Sequence, residues 1–94
     1  MAITITIPTA LRQYTENQAS VEFESETVSG VLRSLVERFP AVGKHLYTEQ
    51  GKLRSFVNIY VGDEDIRYLE GEQTPVRSGD IVSIIPAIAG GSGR

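Results

Sequence analysis

Alternation of apolar and polar residues marks two short segments near the start of the chain. Residues 2–8 place three isoleucines on one side and two threonines on the other, and residues 20–24 alternate in the same way. A period of two with β-branched residues predicts half-buried strands. Because the two segments are close in sequence, we expect them to pair as an antiparallel hairpin.

The period changes to that of a helix at Val28. Apolar residues then recur along one helical face, at Val28, Val31, Leu32, Leu35, Val36 and Phe39. Thr27 is the predicted N-cap, because its hydroxyl can accept a hydrogen bond from a backbone N–H at the helix start. Pro40 disfavours helical geometry at the residue before it and ends the predicted helix. Residues 43–51 are predicted as a loop in which a short turn anchors Leu46.

Strand-like patterns return in the second half of the chain, at residues 53–61, 66–69 and 81–85. In the first of these segments Val57, Ile59 and Val61 form a uniformly aliphatic face, which is the predicted core face. The other face carries Phe56, Asn58 and Tyr60. In the last segment Ser83 marks the exposed face, which Ile81 and Ile85 share. We therefore expect Phe56, Tyr60 and Ile85 to form an apolar patch on an open sheet face, the kind of surface that often binds a protein.

The order of elements is strand, strand, helix, strand, short strand, strand. One helix over a mixed sheet is the economical way to bury all of these faces. We predict an α+β fold in which the first strand lies centrally beside the last and one main helix packs on one face. This is the β-grasp, or ubiquitin-like, arrangement. Residues 1–86 would form the β-grasp domain, and residues 87–94 a flexible C-terminal tail.

Composition excludes several classes of function. The chain has 94 residues and no cysteine, so disulfides, thiolate metal sites and cysteine nucleophiles are absent. The net charge of −3, without a basic stripe, argues against a nucleic-acid partner. The start of the chain lacks the pattern of a secretory signal, and no segment approaches the length of a membrane span. We expect a soluble cytoplasmic protein with no membrane partner and no bound cofactor or metal.

The sequence assigns no clear catalytic or metal-binding role to the polar residues outside the strands. Residues 63–65 are acidic and are predicted as a solvated turn rather than a cation site. His45, the one histidine, has no assignable nucleophile or orienting partner and is predicted as a loop residue. Arg54, Arg67 and Arg77 could contact the acidic surface of a partner, but as isolated charges they are predicted as ordinary solvated residues.

A diglycine, Gly90-Gly91, follows the last predicted strand on a short tail. Pro86 ends the strand ladder because it has no backbone N–H. Glycine has no Cβ and can pass through a narrow channel. Fully extended, residues 86–91 span about 20 Å, which is enough to enter a deep active site on another protein.

Together with the order of elements, three segments resemble the MoaD/ThiS family of ubiquitin-like sulfur carriers. They are ITITIPTALR, FVNIYVGDEDIR and SGDIVSIIPAIAGG. The resemblance is closest to the CysO-type branch, which feeds sulfur to cysteine synthesis. It implies that the tail residues Ile88, Ala89, Gly90 and Gly91 are the working part of the molecule, and that the chain itself is not an enzyme.

The resemblance also implies a mechanism and a set of partners. An E1-like adenylyltransferase and sulfurtransferase would use ATP to adenylate the carboxylate of Gly91. Sulfur would then displace AMP and leave a thiocarboxylate. A pyridoxal-phosphate-dependent cysteine synthase would accept the sulfur, and a metalloprotease would process the tail or release the product. The family docks its activating enzyme on the sheet face that here carries Phe56, Tyr60 and Ile85.

The chain departs from the family pattern at its end, because Ser92-Gly93-Arg94 follow the second glycine. Adenylation needs a free carboxylate, whereas the Gly91 carbonyl is bound in the amide to Ser92. We expect a protease to cleave between Gly91 and Ser92 before activation. The alternative is that the last three residues are a harmless extension.

Other functions use the same fold and tail. The chain could be the small subunit of molybdopterin synthase, a thiazole-type sulfur carrier, or a ubiquitin-like modifier joined to lysines through Gly91. A plain interaction module would share the fold and ignore the tail. The sequence does not choose among cysteine, thiazole, molybdopterin and a thiolated tRNA as the end product.

Overall fold

The computed structural model describes residues 2–55 and 57–86 of the chain. Phe56 and the predicted tail, residues 87–94, lie outside the described residues. The main elements in chain order are β1 (Ile3–Thr6), β2 (Ser20–Phe23), α1 (Val28–Arg38), α2 (Pro40–Leu46), β3 (Val57–Val61), β4 (Glu64–Asp65) and β5 (Ile81–Pro86). Three short 3-10 helices lie between them, at Thr9–Tyr14, Ile66–Tyr68 and Gly71–Gln73.

The strands form a single mixed sheet in the order β2-β1-β5-β3-β4. β1 pairs antiparallel with β2 and parallel with β5, and β3 pairs antiparallel with both β4 and β5. The parallel pair places Ile5 beside Val82, in the middle of the sheet. The first and last strands therefore lie together at the centre, and the predicted β-grasp architecture is confirmed.

Helix α1 forms where the apolar spacing predicts it. The Thr27 hydroxyl accepts a hydrogen bond of 3.1 Å from the backbone N–H of Gly30, which confirms the predicted N-cap. At the other end, the N–H of Phe39 donates to the carbonyl of Leu35, and Pro40 prevents the helix from continuing. The face that α1 turns to the sheet is fully buried.

A second helix was not predicted. Residues 40–46 form α2, whereas residues 43–51 were expected to be loop. Pro40 ends one helix and begins the next, because its missing N–H costs nothing in the first helical turn. Val42 and Leu46, four residues apart, are both buried and fix this short helix to the core. His45 is therefore a helix residue rather than a loop residue, and its ring stacks on that of Tyr14 with 4.3 Å between centroids.

Two predicted strand boundaries are also wrong. β3 begins at Val57 rather than at residue 53, and Leu53 instead forms an isolated bridge with Tyr47. The short strand lies at Glu64–Asp65, and residues 66–68 turn into a 3-10 helix. The Asp65 carboxylate caps this turn by accepting from the backbone N–H of Arg67, and Ile66 packs into the core.

One hydrophobic core lies between the sheet and the helices. Strand residues of one parity, the inner face of α1 and the buried side of α2 all contribute to it, as Ile3, Ile5, Ile7, Leu11, Val21, Val28, Val31, Leu32, Leu35, Phe39, Val42, Leu46, Ile59, Ile66, Val76, Val82 and Ile84. The predicted inward parity of the first, third and last strands is confirmed. No helix in the described part of the chain has the length and apolar character needed to cross a membrane.

Replacing Thr27 with alanine removes the N-cap hydrogen bond of α1. We expect the free energy of unfolding to fall by about 1 kcal/mol, because a backbone N–H at the helix start loses its partner. Urea denaturation followed by circular dichroism measures the change. The control is Thr9→Ala, at an exposed threonine outside the core. Equal stability of the two variants would contradict this role of Thr27.

Candidate functional site

The sheet has one covered and one open face. Alternate strand residues that do not point into the core form the open face, and they include Thr4, Thr6, Asn58, Tyr60, Ile81, Ser83 and Ile85. Both helices pack on the opposite, covered face through the core. The open face is therefore the broad surface on which a second protein would meet the strands directly.

Two of the three predicted patch residues meet on this face. Ile85 lies opposite Asn58, and Tyr60 lies opposite Ser83 on the neighbouring strand. Tyr60 and Ile85 are thus diagonal neighbours, about 7–8 Å apart, which is within reach of an aromatic ring. Ile85 is 46% exposed and Ile81 is 47% exposed, while Tyr60 is half-buried. The third predicted member, Phe56, lies outside the described residues.

The tail begins from the end of the central strand. β5 runs to Pro86, which lies opposite Val57 at the start of β3. The exposed Ile85 immediately precedes this point. The predicted tail and cleavage residues, Ile88, Ala89, Gly90, Gly91 and Ser92, lie outside the described residues. Their assigned roles stay predictions.

A polar cluster at the edge of the open face was missed by the sequence analysis. The Asp65 carboxylate is 6% exposed, so its place is not that of a solvated turn residue. It accepts a 2.8 Å hydrogen bond from the backbone N–H of Arg67. It also accepts from the Nε of the same arginine at 3.2 Å and from Nη2 at 2.8 Å. Arg67 Nη2 donates in addition to Asn58 Oδ1. Arg67 is therefore not an isolated solvated cation.

The electrostatics of this cluster follow from its hydrogen bonds. The Arg67 side chain, and then its backbone N–H, hold the pKa of the Asp65 carboxyl below its usual value, although burial opposes them. The carboxylate in turn raises the pKa of Arg67. No motif or spacing in the sequence predicts this cluster, because the cluster depends on the strand pairing that places Asp65 opposite Tyr60.

Elsewhere the described residues contain a shallow groove of about 620 Å³ on the helical side. It is bordered by α1, α2 and the 3-10 helix Gly71–Gln73. Burial, and secondarily the carboxylate of Glu72, raises the pKa of Tyr47 in this groove to about 12. Tyr60 and Ile85, the predicted site residues that the structure describes, do not line it. Residues 2–55 and 57–86 also contain no cluster of three or more histidine, aspartate or glutamate side chains able to hold a metal.

The Asp65–Arg67 pair makes stability depend on pH. Because the folded-state pKa of Asp65 is lowered, the pair stabilises the protein above the ordinary carboxyl pKa of about 4. This stabilisation is lost as the pH falls through the lower folded-state value. We expect Asp65→Asn to be less stable than the native chain at pH 7, and the difference to shrink below about pH 4.

Urea unfolding at a series of pH values measures this difference. Asp63→Asn, at an exposed position in the adjoining turn, is the matched control and should change little at any pH. A stability difference for Asp65→Asn that is the same at acidic and neutral pH would rule out the ion pair as its cause.

The amino-acid sequence of the chain is similar to those of known proteins. The model of the ThiS family matches residues 5–91. The chain is 42% identical over 93 residues to the sulfur carrier protein CysO of Mycobacterium tuberculosis, an alignment that covers 97% of this chain and 100% of the relative. It is 34% identical over 68 residues to small archaeal modifier protein 3 of Haloferax volcanii, covering 72% of this chain and 73% of that protein.

Solved structures agree with the sequence comparison. A chain in the crystal structure of the Amycolatopsis orientalis BexX/CysO complex superimposes with a TM-score of 0.87 at 39% identity. The superposition covers 95% of this chain and 99% of that one. The superposition therefore leaves only about 5% of this chain unmatched.

Proposed function

Because the chain belongs to the ThiS family and is a sulfur carrier protein of the CysO type, we propose that its working group is the carboxylate of Gly91. The observation that carries the proposal is the extent of the family match, which runs from β1 through the diglycine and ends at Gly91. Like its homologues, the chain is a carrier rather than an enzyme, and no side chain would perform the chemistry.

The sheet supports this role by holding the base of the tail in place. β5 is paired with β1 from Ile81 to Ser83 and with β3 from Val82 to Pro86, where the tail begins. A tail that leaves a strand paired in this way has a defined starting point. Fully extended, residues 86–91 reach about 20 Å into a partner while the folded body stays at the surface.

The proposed chemistry takes place on the carboxylate in the active sites of other proteins. A Gly91 carboxylate oxygen attacks the α-phosphorus of ATP, pyrophosphate leaves, and an acyl adenylate forms. Hydrosulfide then attacks the acyl carbon, AMP leaves with the bonding electrons, and the S–H proton is lost to solvent. The product is a thiocarboxylate. Because the chain has no cysteine, this group would be its only nucleophilic sulfur.

Processing would precede activation, since Ser92-Gly93-Arg94 follow the reactive residue. Cleavage of the Gly91–Ser92 amide frees the carboxylate, and we assign the cleavage to a metalloprotease. Residues 92–94 also lie beyond the end of the family match, which supports the view that they are not part of the working tail. The removal of these residues would then limit the supply of active carrier.

We further propose that the acceptor is a pyridoxal-phosphate-dependent cysteine synthase and that the pathway leads to cysteine in the cytoplasm. The similarity to CysO supports this choice of branch. The Amycolatopsis relative was crystallised in a complex with BexX, which supports the idea that carriers of this shape dock onto a second protein.

Similarity to an archaeal modifier favours one second candidate. In that function Gly91 would form an isopeptide bond with lysines of target proteins. The two functions share adenylation and differ in the acceptor. A modifier produces a ladder of covalent conjugates after denaturing purification, whereas a sulfur carrier produces a thiocarboxylate and no ladder.

Intact-mass measurement tests the proposed tail chemistry. The chain ending at Gly91 is incubated with ATP, sulfide and the cognate E1-like enzyme. We expect one oxygen to be exchanged for sulfur, because the free carboxylate can be adenylated and then attacked. The full chain ending at Arg94 should remain unchanged until a protease is added. A chain ending at Ala89 is the control and should stay inert. Sulfur incorporation into the uncut chain would contradict the proposal.

The open face would dock the activating enzyme. Tyr60→Asp and Ile85→Asp place a charge in the apolar patch, and we expect each to raise the KM for the carrier in ATP–pyrophosphate exchange by about tenfold or more. Ala41→Asp is the control, because this exposed residue lies on α2, on the other side of the sheet. Unchanged KM in properly folded Tyr60 and Ile85 variants would exclude the patch as the docking surface.

A further inference from the structure

Arg67 is held in place and yet remains accessible. Its side chain is 63% exposed, although Nε and Nη2 are both bound to the buried Asp65 carboxylate. A second bond from Nη2 goes to Asn58 Oδ1. Among the described residues, no hydrogen bond involves Nη1. The guanidinium is therefore held through Nε and Nη2, while the side chain stays largely exposed and these bonds leave the Nη1 donors unused.

The cluster lies beside the apolar patch. Asn58 is opposite Ile85 in the β3–β5 pair, and Asp65 is opposite Tyr60 in the β3–β4 pair. Directly opposed residues have Cβ atoms about 5 Å apart. Because Arg67 bonds to the Asn58 side chain, its guanidinium lies close to Ile85, the residue that precedes the end of β5. A protein that covers Tyr60 and Ile85 would also cover the arginine.

Arg67 is a basic residue beside strands that carry only acidic charges. The five strands contain no lysine or arginine, and their charged residues are Glu22, Glu64 and Asp65. A basic group placed next to an apolar patch attracts a complementary acidic group on the opposing surface. Charge-assisted hydrogen bonds to a carboxylate are also stronger than bonds to a neutral acceptor.

Because Arg67 is already held in place, it loses less conformational entropy when it binds an acidic group. A free arginine loses rotamer freedom when it binds, which weakens the net interaction. Here the hydrogen bonds to Asp65 and Asn58 have already fixed the side chain in the unbound protein.

We propose that Arg67, fixed by Asp65 and Asn58 at the edge of the open face, binds an acidic side chain of the activating enzyme and so orients the carrier's tail. The inference rests on the proposed function and adds a polar specificity contact to the apolar docking patch. The proposed partner of Arg67 Nη1 is a carboxylate of that enzyme.

The test is ATP–pyrophosphate exchange with the chain ending at Gly91 and its cognate activating enzyme at low salt. We expect Arg67→Gln to raise the KM for the carrier about tenfold with little change in kcat, because ground-state docking is lost while the chemistry is not. The gap between native and variant carriers should narrow as salt is raised. Arg67→Lys should recover only part of the loss, since lysine lacks the planar fork.

Arg33→Gln is the matched control, because it makes the same charge change at an exposed position on α1, away from the open face. Arg67→Gln leaves a buried carboxylate without its partner, so the double variant Asp65→Asn/Arg67→Gln is measured as well, with its fold checked by circular dichroism. It should show the same raised KM.

The outcomes separate the two proposals. If the native carrier is activated and Arg67→Gln raises KM no more than Arg33→Gln does, the arginine contact is disproved and the carrier function stands. If kcat falls while KM is unchanged, Arg67 is not a docking residue. If the native chain ending at Gly91 is not adenylated at all, the carrier function fails, and this inference fails with it.

Discussion

The parallel pairing of β1 with β5 is the contact on which the rest of the structure depends. It joins the two ends of the folded chain, with Ile5 beside Val82 at the centre of the sheet. A parallel pair needs a long crossover, and the intervening chain supplies α1, α2 and the β3–β4 hairpin. Both helices then cover the same face. The opposite face is left open, and Ile85, near the end of the last strand, is exposed on it.

The two faces of the sheet therefore have different roles. The covered face contains almost all of the large aliphatic side chains and supplies the stability of a small domain. The open face carries small polar residues with exposed isoleucines, a composition that can exist in water and also pack against a protein. Because Tyr60, Ile85 and Arg67 are fixed by strand pairing and hydrogen bonds, the open face would need little reorganisation on binding.

Much of the fold could be predicted because its signals are local. The isoleucine alternation in β1, the helical spacing from Val28 and the N-cap at Thr27 each report a structure within a few residues. The α2 helix was missed because Pro40 is both a terminator and a favourable first residue of a helix. Its two buried residues, Val42 and Leu46, were too few to establish a period.

The candidate site was predictable only in part, for a related reason. Alternation alone predicted that Tyr60 and Ile85 lie on the exposed side of their strands. The Asp65–Arg67–Asn58 cluster depends on which strands are neighbours and in what register, and a single sequence does not report these long-range pairings. The expected strand is instead a 3-10 helix capped by Asp65, in which Ile66 is buried and Arg67 bonds back to Asp65.

The position of β5 has a mechanical consequence. Force applied to the C-terminal end acts along a strand that is bonded to β1 on one side and β3 on the other. The pairs of Ile81–Ser83 with β1 and of Val82–Pro86 with β3 are then loaded in shear along the strand. An unfoldase that grips this end would therefore meet strong resistance from the body, while enzymes that act only on the terminal residues would not need to disturb it.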